Sequence, residues 1–373
     1  MADRKETQKH SVERPEHFFQ KELVGEEPPS FATMQTLYHL ATDLFARRPW
    51  NLIAEDELVL VEEAASKELC FCSVMGALGQ VRALQVYLGP EGYHFLRKLQ
   101  SGQAITVGEF FATQRSVSVE IVRLGELTGS DRKFLEAMGH PLKRGTLAPI
   151  FRAIRPGYHP WYVTEGEAGI LAQCQRALIK ICDHLQANPD LHYWDKENVY
   201  PMLSREGDEE DEQGYRISLI EAPGFPVPMP NLPTLDEARI QRILGCRYPS
   251  QGVLEVDHFY GAGMVGEANQ RKACFRVGLA IDAKSGLAYP PEVSLPASST
   301  GDVLTRVVLQ AVESARALPR EIRVRDDEFK VLLDPLAQAL GVSVGIKKSL
   351  PALELAKKQL LEMMGDPGPF LPR

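Results

Sequence analysis

From Val253 onward, three apolar runs separated only by turns give way to a regular alternation of amphipathic helices and short apolar strands. "GVLEVDHFY" and "ACFRVGLAID" have strand character, and a third run ending in "PEVSL" follows a turn at Lys284-Ser285-Gly286. Next come a helix over "STGDVLTRVVLQAVESARAL", capped by Ser299 or Thr300, and the strand "EIRVR". "DEFKVLLDPLAQALG" reads as one helix broken at Pro335 or as two short ones; the strand "VSVGI" and the helix "PALELAKKQLLEMM" close the series. The order β-β-β-α-β-α-β-α leaves few topologies. Strands joined by turns pair antiparallel, whereas strands joined through a helix pair parallel by right-handed crossovers. The expectation is an α/β domain over 236–373, opened by the helix "TLDEARIQRIL", with a mixed five-stranded sheet and helices on both faces.

The first half reads as a second, α+β domain over 31–202. "FATMQTLYHLATDLFARR" has helical spacing, and "ELVLVE", "LCFCSVMG" and "RALQVYLG" are strand candidates, the last two forming a hairpin. "PEGYHFLRKLQ" suits a short helix, "SVSVEIVRL" a strand, and "SDRKFLEAMG" a helix capped by Ser130 and stopped by Gly139. Across 165–187 an apolar stripe from Ile170 to Leu185 marks a core helix. Residues 1–30 read as a flexible polar tail without the apolar stretch of a signal peptide. Between the domains, 203–235 carries six carboxylates within Glu206–Glu212 followed by five prolines, which reads as a solvated, extended linker.

Composition weighs against some function classes. The net charge of −8 is uneven: 236–373 holds 18 basic and 17 acidic residues, and the rest holds 24 and 33. Neither part has the basic excess with which proteins grip nucleic-acid phosphates. No apolar run approaches the ~18 residues of a bilayer span, so no membrane partner is expected. Six cysteines without a CxxC pair, most within apolar segments, suit buried thiols in a reducing compartment, and the expected location is the cytoplasm.

Two stretches carry chemistry. In "RPGYHPWYV", two prolines and a glycine fix the backbone while Tyr158, His159 and Trp161 crowd beside Arg155. This is either a ligand or partner loop or a rigid packed corner. In "VRDDEF", Asp326, Asp327 and Glu328 follow a strand end. They are either part of a divalent-metal site or the acidic first turn of the next helix, with Asp326 as cap.

The element order from Val253 to about residue 363, with Asp257 in "LEVDHF", Asp326 or Asp327, and Glu354 in "PALELAKKQ", resembles the ribonuclease H-like fold of transposases and integrases. That resemblance implies catalytic carboxylates at those positions, holding two Mg²⁺ or Mn²⁺ ions for phosphodiester cleavage. An arginine such as Arg276, Arg323 or Arg325 could satisfy Asp257 or its same-face neighbour Glu255 without a metal. Further phrases, among them "SVMGALGQVRALQVYLGPEG", "FRAIRPGYHPWYV", "AIDAKSGLAYPPEVSL" and "LPALELAKKQLL", resemble an uncharacterised bacterial family of paired domains of unknown function. The expected function is a cofactor-free, non-catalytic binding protein, with a protein partner or ligand, whose ribonuclease H-like half is degenerate. The alternative is a metal-dependent nuclease acting on nucleic acid through Asp257, Asp326 or Asp327, and Glu354.

Overall fold

The local signals that start and stop helices are obeyed closely. In the computed structural model, which describes residues 19–102, 105–140, 142–143, 145–205, 215–222, 224–226, 230–364 and 369–370, Ser30 caps α1 (Phe31–Ala46) and Thr164 caps the long helix α5 (Glu165–Ala187). The α5 cap is reciprocal: Thr164 N–H donates to Glu167 Oε2 at 2.9 Å while Glu167 N–H points back to Thr164 Oγ1. Four further helices lie in the first half or open the second: α2 (Gly89–Gln100), α3 (Val107–Thr113), α4 (Gly129–Ala137) and α6 (Glu237–Gly245). Thr128, not Ser130, caps α4, because Asp131 sits three residues on to complete the reciprocal pair.

The first half folds around a seven-stranded sheet. Its strands are β1 (Val59–Glu62), β2 (Leu69–Met75), β3 (Ala83–Leu88), β5 (Ser116–Arg123), β6 (Leu147–Ile154), β7 (Val199–Arg205) and β8 (Tyr215–Glu221), in the order β6-β5-β3-β2-β1-β7-β8. All neighbours are antiparallel except β1 and β7. One face is sealed by α1 and α5, whose Leu37, Leu44, Leu171, Leu178 and Ile181 are fully buried against Val59, Val61, Cys72 and Val117. Each such side chain contributes about 1.5–3 kcal/mol relative to exposure. On the other face α2 packs Phe95 and Leu96 over Phe71 and Tyr87.

The boundaries expected from the sequence are corrected on both sides of this domain. Residues 19–30 are not a free tail, since Phe19 and Leu23 are buried in the first core; residues 1–18 lie outside the described residues. The segment 203–235 is not wholly linker. Residues 203–205 complete β7 and Tyr215–Glu221 returns as the edge strand β8, paired antiparallel to β7; the acidic run at 206–212 lies outside the described residues. Two prolines explain the missed strands: Pro149 sits in the edge strand β6, and Pro201 in β7.

The second half builds β9 (Val253–Val265), β10 (Ala273–Asp282), β11 (Glu292–Ser294), α7 (Thr300–Ala315), β12 (Glu321–Val324), α8 (Asp327–Leu340), β13 (Ser343–Ile346) and α9 (Pro351–Met364). The sheet order is β11-β10-β9-β12-β13, with β9, β10 and β11 successively antiparallel and β12 and β13 parallel to β9. Helices α6, α7 and α8 cover the face that presents Leu254, Val256 and Val324, and α9 covers the face that presents Phe259 and Leu279. Helix α8 runs continuously through Pro335. A two-residue pairing of β4 (Ile105–Thr106) with β14 (Pro369–Phe370) brings the end of the described chain back onto the first half. Among the described residues no helix is long and apolar enough to cross a membrane.

Candidate functional site

Parallel pairing of β9 with β12 sets Ile322 opposite Leu254 and Arg323 opposite Glu255, so the end of β12 comes beside the part of β9 that carries Asp257. Asp257 is 4% exposed and its Oδ2 is ion-paired with Arg325, while its Oδ1 accepts the His258 backbone N–H at 2.8 Å. Burial raises the Asp257 pKa, against the pull of Arg325 and Lys357. The other expected ligands serve helix ends. Asp326 Oδ1 accepts the Phe329 N–H at 3.0 Å and caps α8; Asp327 is exposed in the first turn of that helix. Glu354 is also exposed, and its Oε1 turns back to the Leu350 N–H at 3.3 Å.

Of the arginines able to satisfy these acids, Arg325 takes Asp257, Arg323 pairs with Glu321, and Arg276 donates to Ser298 O and Tyr260 Oη. Glu255, which the sequence offered only as a neighbour of Asp257, is 3% exposed and accepts the Leu353 N–H at 2.9 Å in the first turn of α9. Among the described residues no three Asp, Glu, His or Cys side chains gather to hold a metal ion. The residues present do not fit a pair of Mg²⁺ or Mn²⁺ ions: the one buried acid of the expected set faces a guanidinium, Asp326 and Glu354 face backbone N–H groups, and Asp327 is exposed at the helix start.

Next to this region His258 is half-buried, and its Nδ1 is buried with no hydrogen-bond partner among the described residues. Its ring lies 5.1 Å from that of Phe329, and burial, followed by Arg276, Lys357 and Arg325, pushes its pKa down to about 3. It is a neutral imidazole at any ordinary pH.

The aromatic loop forms the seam between the halves. Tyr158 pairs antiparallel with Ala273, His159 N–H donates to Lys272 O at 2.9 Å, and Cys274 N–H donates to Gly157 O at 2.8 Å. Gly157 has φ +87°, and a Cβ there would lie 2.5 Å from Pro296 of the second half. Trp161 pairs with Ala153 and sends its indole N–H to Glu22 O. The His159 ring packs on Phe111 with its Nε2 unpaired among the described residues, and burial lowers its pKa. Beside the loop, Arg155 binds Glu167 at 2.7 Å and Glu26 at 2.8 Å. Arg271, its side chain only 5% exposed, meets the same two acids and donates to the carbonyls of Ala153 and Tyr162. The loop therefore has its partner within the chain. Arg271, Glu26 and Glu167 gave no signal in the sequence, because charges in polar runs such as "ANQRKACF" look like ordinary surface.

These features define a two-domain α/β protein whose halves are joined by a buried, ion-paired seam. Residues 35–203 match a domain of unknown function, DUF7309, and residues 239–361 match a second one, DUF6930. Together they support a family of paired domains of unknown function. No curated protein matches the chain.

Proposed function

We propose that the chain is a non-catalytic binding or interaction protein whose second half is a degenerate ribonuclease H-like domain. The strand order β11-β10-β9-β12-β13, with its change from antiparallel to parallel pairing at β9, supports the fold reading. One observation carries the loss of catalysis: Arg325 occupies the coordination side of the buried Asp257 carboxylate, where a metal-dependent nuclease needs a divalent cation. All six cysteines are free and five are buried, which supports residence in a reducing compartment such as the cytoplasm.

The test is direct. Purified protein is incubated with Mn²⁺ or Mg²⁺ and single- and double-stranded DNA and RNA, beside Asp257→Ala, and its melting temperature is measured with and without saturating metal. No cleavage and no metal-dependent shift are expected. Cleavage abolished by Asp257→Ala would overturn the proposal and reinstate a nuclease using Asp257, Asp326 or Asp327, and Glu354.

A further inference from the structure

The face of the seven-stranded sheet opposite α1 and α5 is only partly covered. Beyond α2, an open groove of about 710 Å³ lies over β2, β3 and β5, flanked by Leu96 and Leu99 of α2, by Phe110 of α3 and by Gln114 just after it. That volume is in the range of sites for small organic ligands. Strand register writes its floor. Ser73, Gln85 and Ser118 stand abreast in one row, and Met75, Ala83 and Glu120 in another. Alternate residues of a strand share a face, so both rows open to the same side.

Three properties of the lining point the same way. First, its walls are apolar and partly aromatic, through Met75, Val81, Tyr87, Leu96, Leu99 and Phe110. Second, two amide atoms lack hydrogen-bond partners among the described residues: Gln85 Nε2 and Gln114 Oε1. Gln114 is 2% exposed and its Nε2 donates to Ser116 Oγ at 2.7 Å, which holds the amide in place. Buried polar atoms of this kind are normally paired, so these two amides among the lining residues carry unused hydrogen-bonding capacity. Third, Glu55, Asp56 and Glu120 line the groove, and no Lys, Arg or His does. Glu120 is half-buried and has no ion-pair partner among the described residues.

We propose that this groove binds a small organic cation: a protonated amine facing Glu120, carried on a flat apolar body. Aromatic walls beside carboxylates favour such a cation over its neutral analogue. The same carboxylates repel phosphates and carboxylates, so nucleotides and acidic metabolites are excluded. The inference rests on the binding reading above and names its site; nuclease activity would remove that reading, whereas the titrations below address the groove alone.

Tryptamine, tryptophol and indole-3-propionate share one ring system and differ in charge, so they serve as probes in calorimetric titrations of the full chain. Tryptamine is expected to bind about tenfold more tightly than tryptophol, and indole-3-propionate not to saturate. In Glu120→Gln the amine should fall to the level of tryptophol, with tryptophol unchanged. Ser118→Leu, which fills the floor without touching the charge, should abolish both, and unchanged melting curves establish that each variant folds. Equal binding of all three probes, binding that survives Ser118→Leu, or absence of any saturable tryptamine binding would each overturn the proposal.

Discussion

Replacing Arg325 by alanine strips the guanidinium from Asp257 and leaves a carboxylate that is 4% exposed. Breaking a fully buried pair from one side costs about 3–5 kcal/mol. Here the Arg325 side chain is 43% exposed, so solvent already screens the pair, and Lys357 and the His258 N–H remain to support the carboxylate. A loss of about 1–2 kcal/mol at neutral pH is expected. The pH dependence has a definite sign. Burial holds the Asp257 pKa above its ordinary value, and losing Arg325 raises it further. The folded protein then binds the proton more tightly than the unfolded chain, so stability is gained as pH falls through the folded pKa and lost as pH rises through it. Urea unfolding of Arg325→Ala should therefore show a larger deficit at about pH 8 than at about pH 5. Asp257→Asn removes the charge at its source, and the double variant Asp257→Asn/Arg325→Ala should recover most of the loss. A deficit below about 0.5 kcal/mol that is the same at both pH values, or no recovery in the double variant, would refute the account of the pair.

Other consequences are simpler to check. Native protein should react with a thiol reagent at Cys246 alone, the one exposed cysteine, and at all six after unfolding. Between pH 6.5 and about 3 the unfolded chain protonates His258 and the folded one does not, so acid lowers stability by up to ~1.4 kcal/mol per pH unit from this group. His258→Phe should flatten that slope in urea titrations, leaving the opposite contribution of Asp257. Gly157→Ala combines a left-handed backbone with a Cβ 2.5 Å from Pro296 and should destabilise by about 1–3 kcal/mol, read as a lower melting temperature and faster proteolysis near the seam. Arg271→Ala leaves Glu26, Glu167 and two carbonyls short of a donor and should separate unfolding of the two halves into distinct transitions.

Much of the architecture was legible because it is written in local chemistry. The run from Val253 to Met364 has apolar strands of the right length, turns or helices between them, and caps at Ser299 and Asp326, so its sheet follows from connection rules. Elements whose local signals conflict with their role were hidden. Prolines 149 and 201 disguise β6 and β7, and β8 sits beyond an acidic run that resembles linker. Site residues divide in the same way. Sequence spacing places Asp257 on β9 beside the end of β12, but which cation answers it depends on the reach of one arginine across the strands. The groove was invisible because Gln85 is distant in the chain from Gln114 and Glu120 and the three belong to no motif; pairing of β2, β3 and β5 sets them around one space.

The join at Gly157, Tyr158 and His159 has an evolutionary corollary. Its hydrogen bonds run between main-chain groups of Gly157, His159, Lys272 and Cys274, and peptide groups are the same whichever side chains they carry. Drift in Tyr158 or Ala273 can proceed without altering the angle at which one half meets the other. Relatives that diverge widely in letters along this loop should still hold the same mutual orientation, provided that the glycine persists.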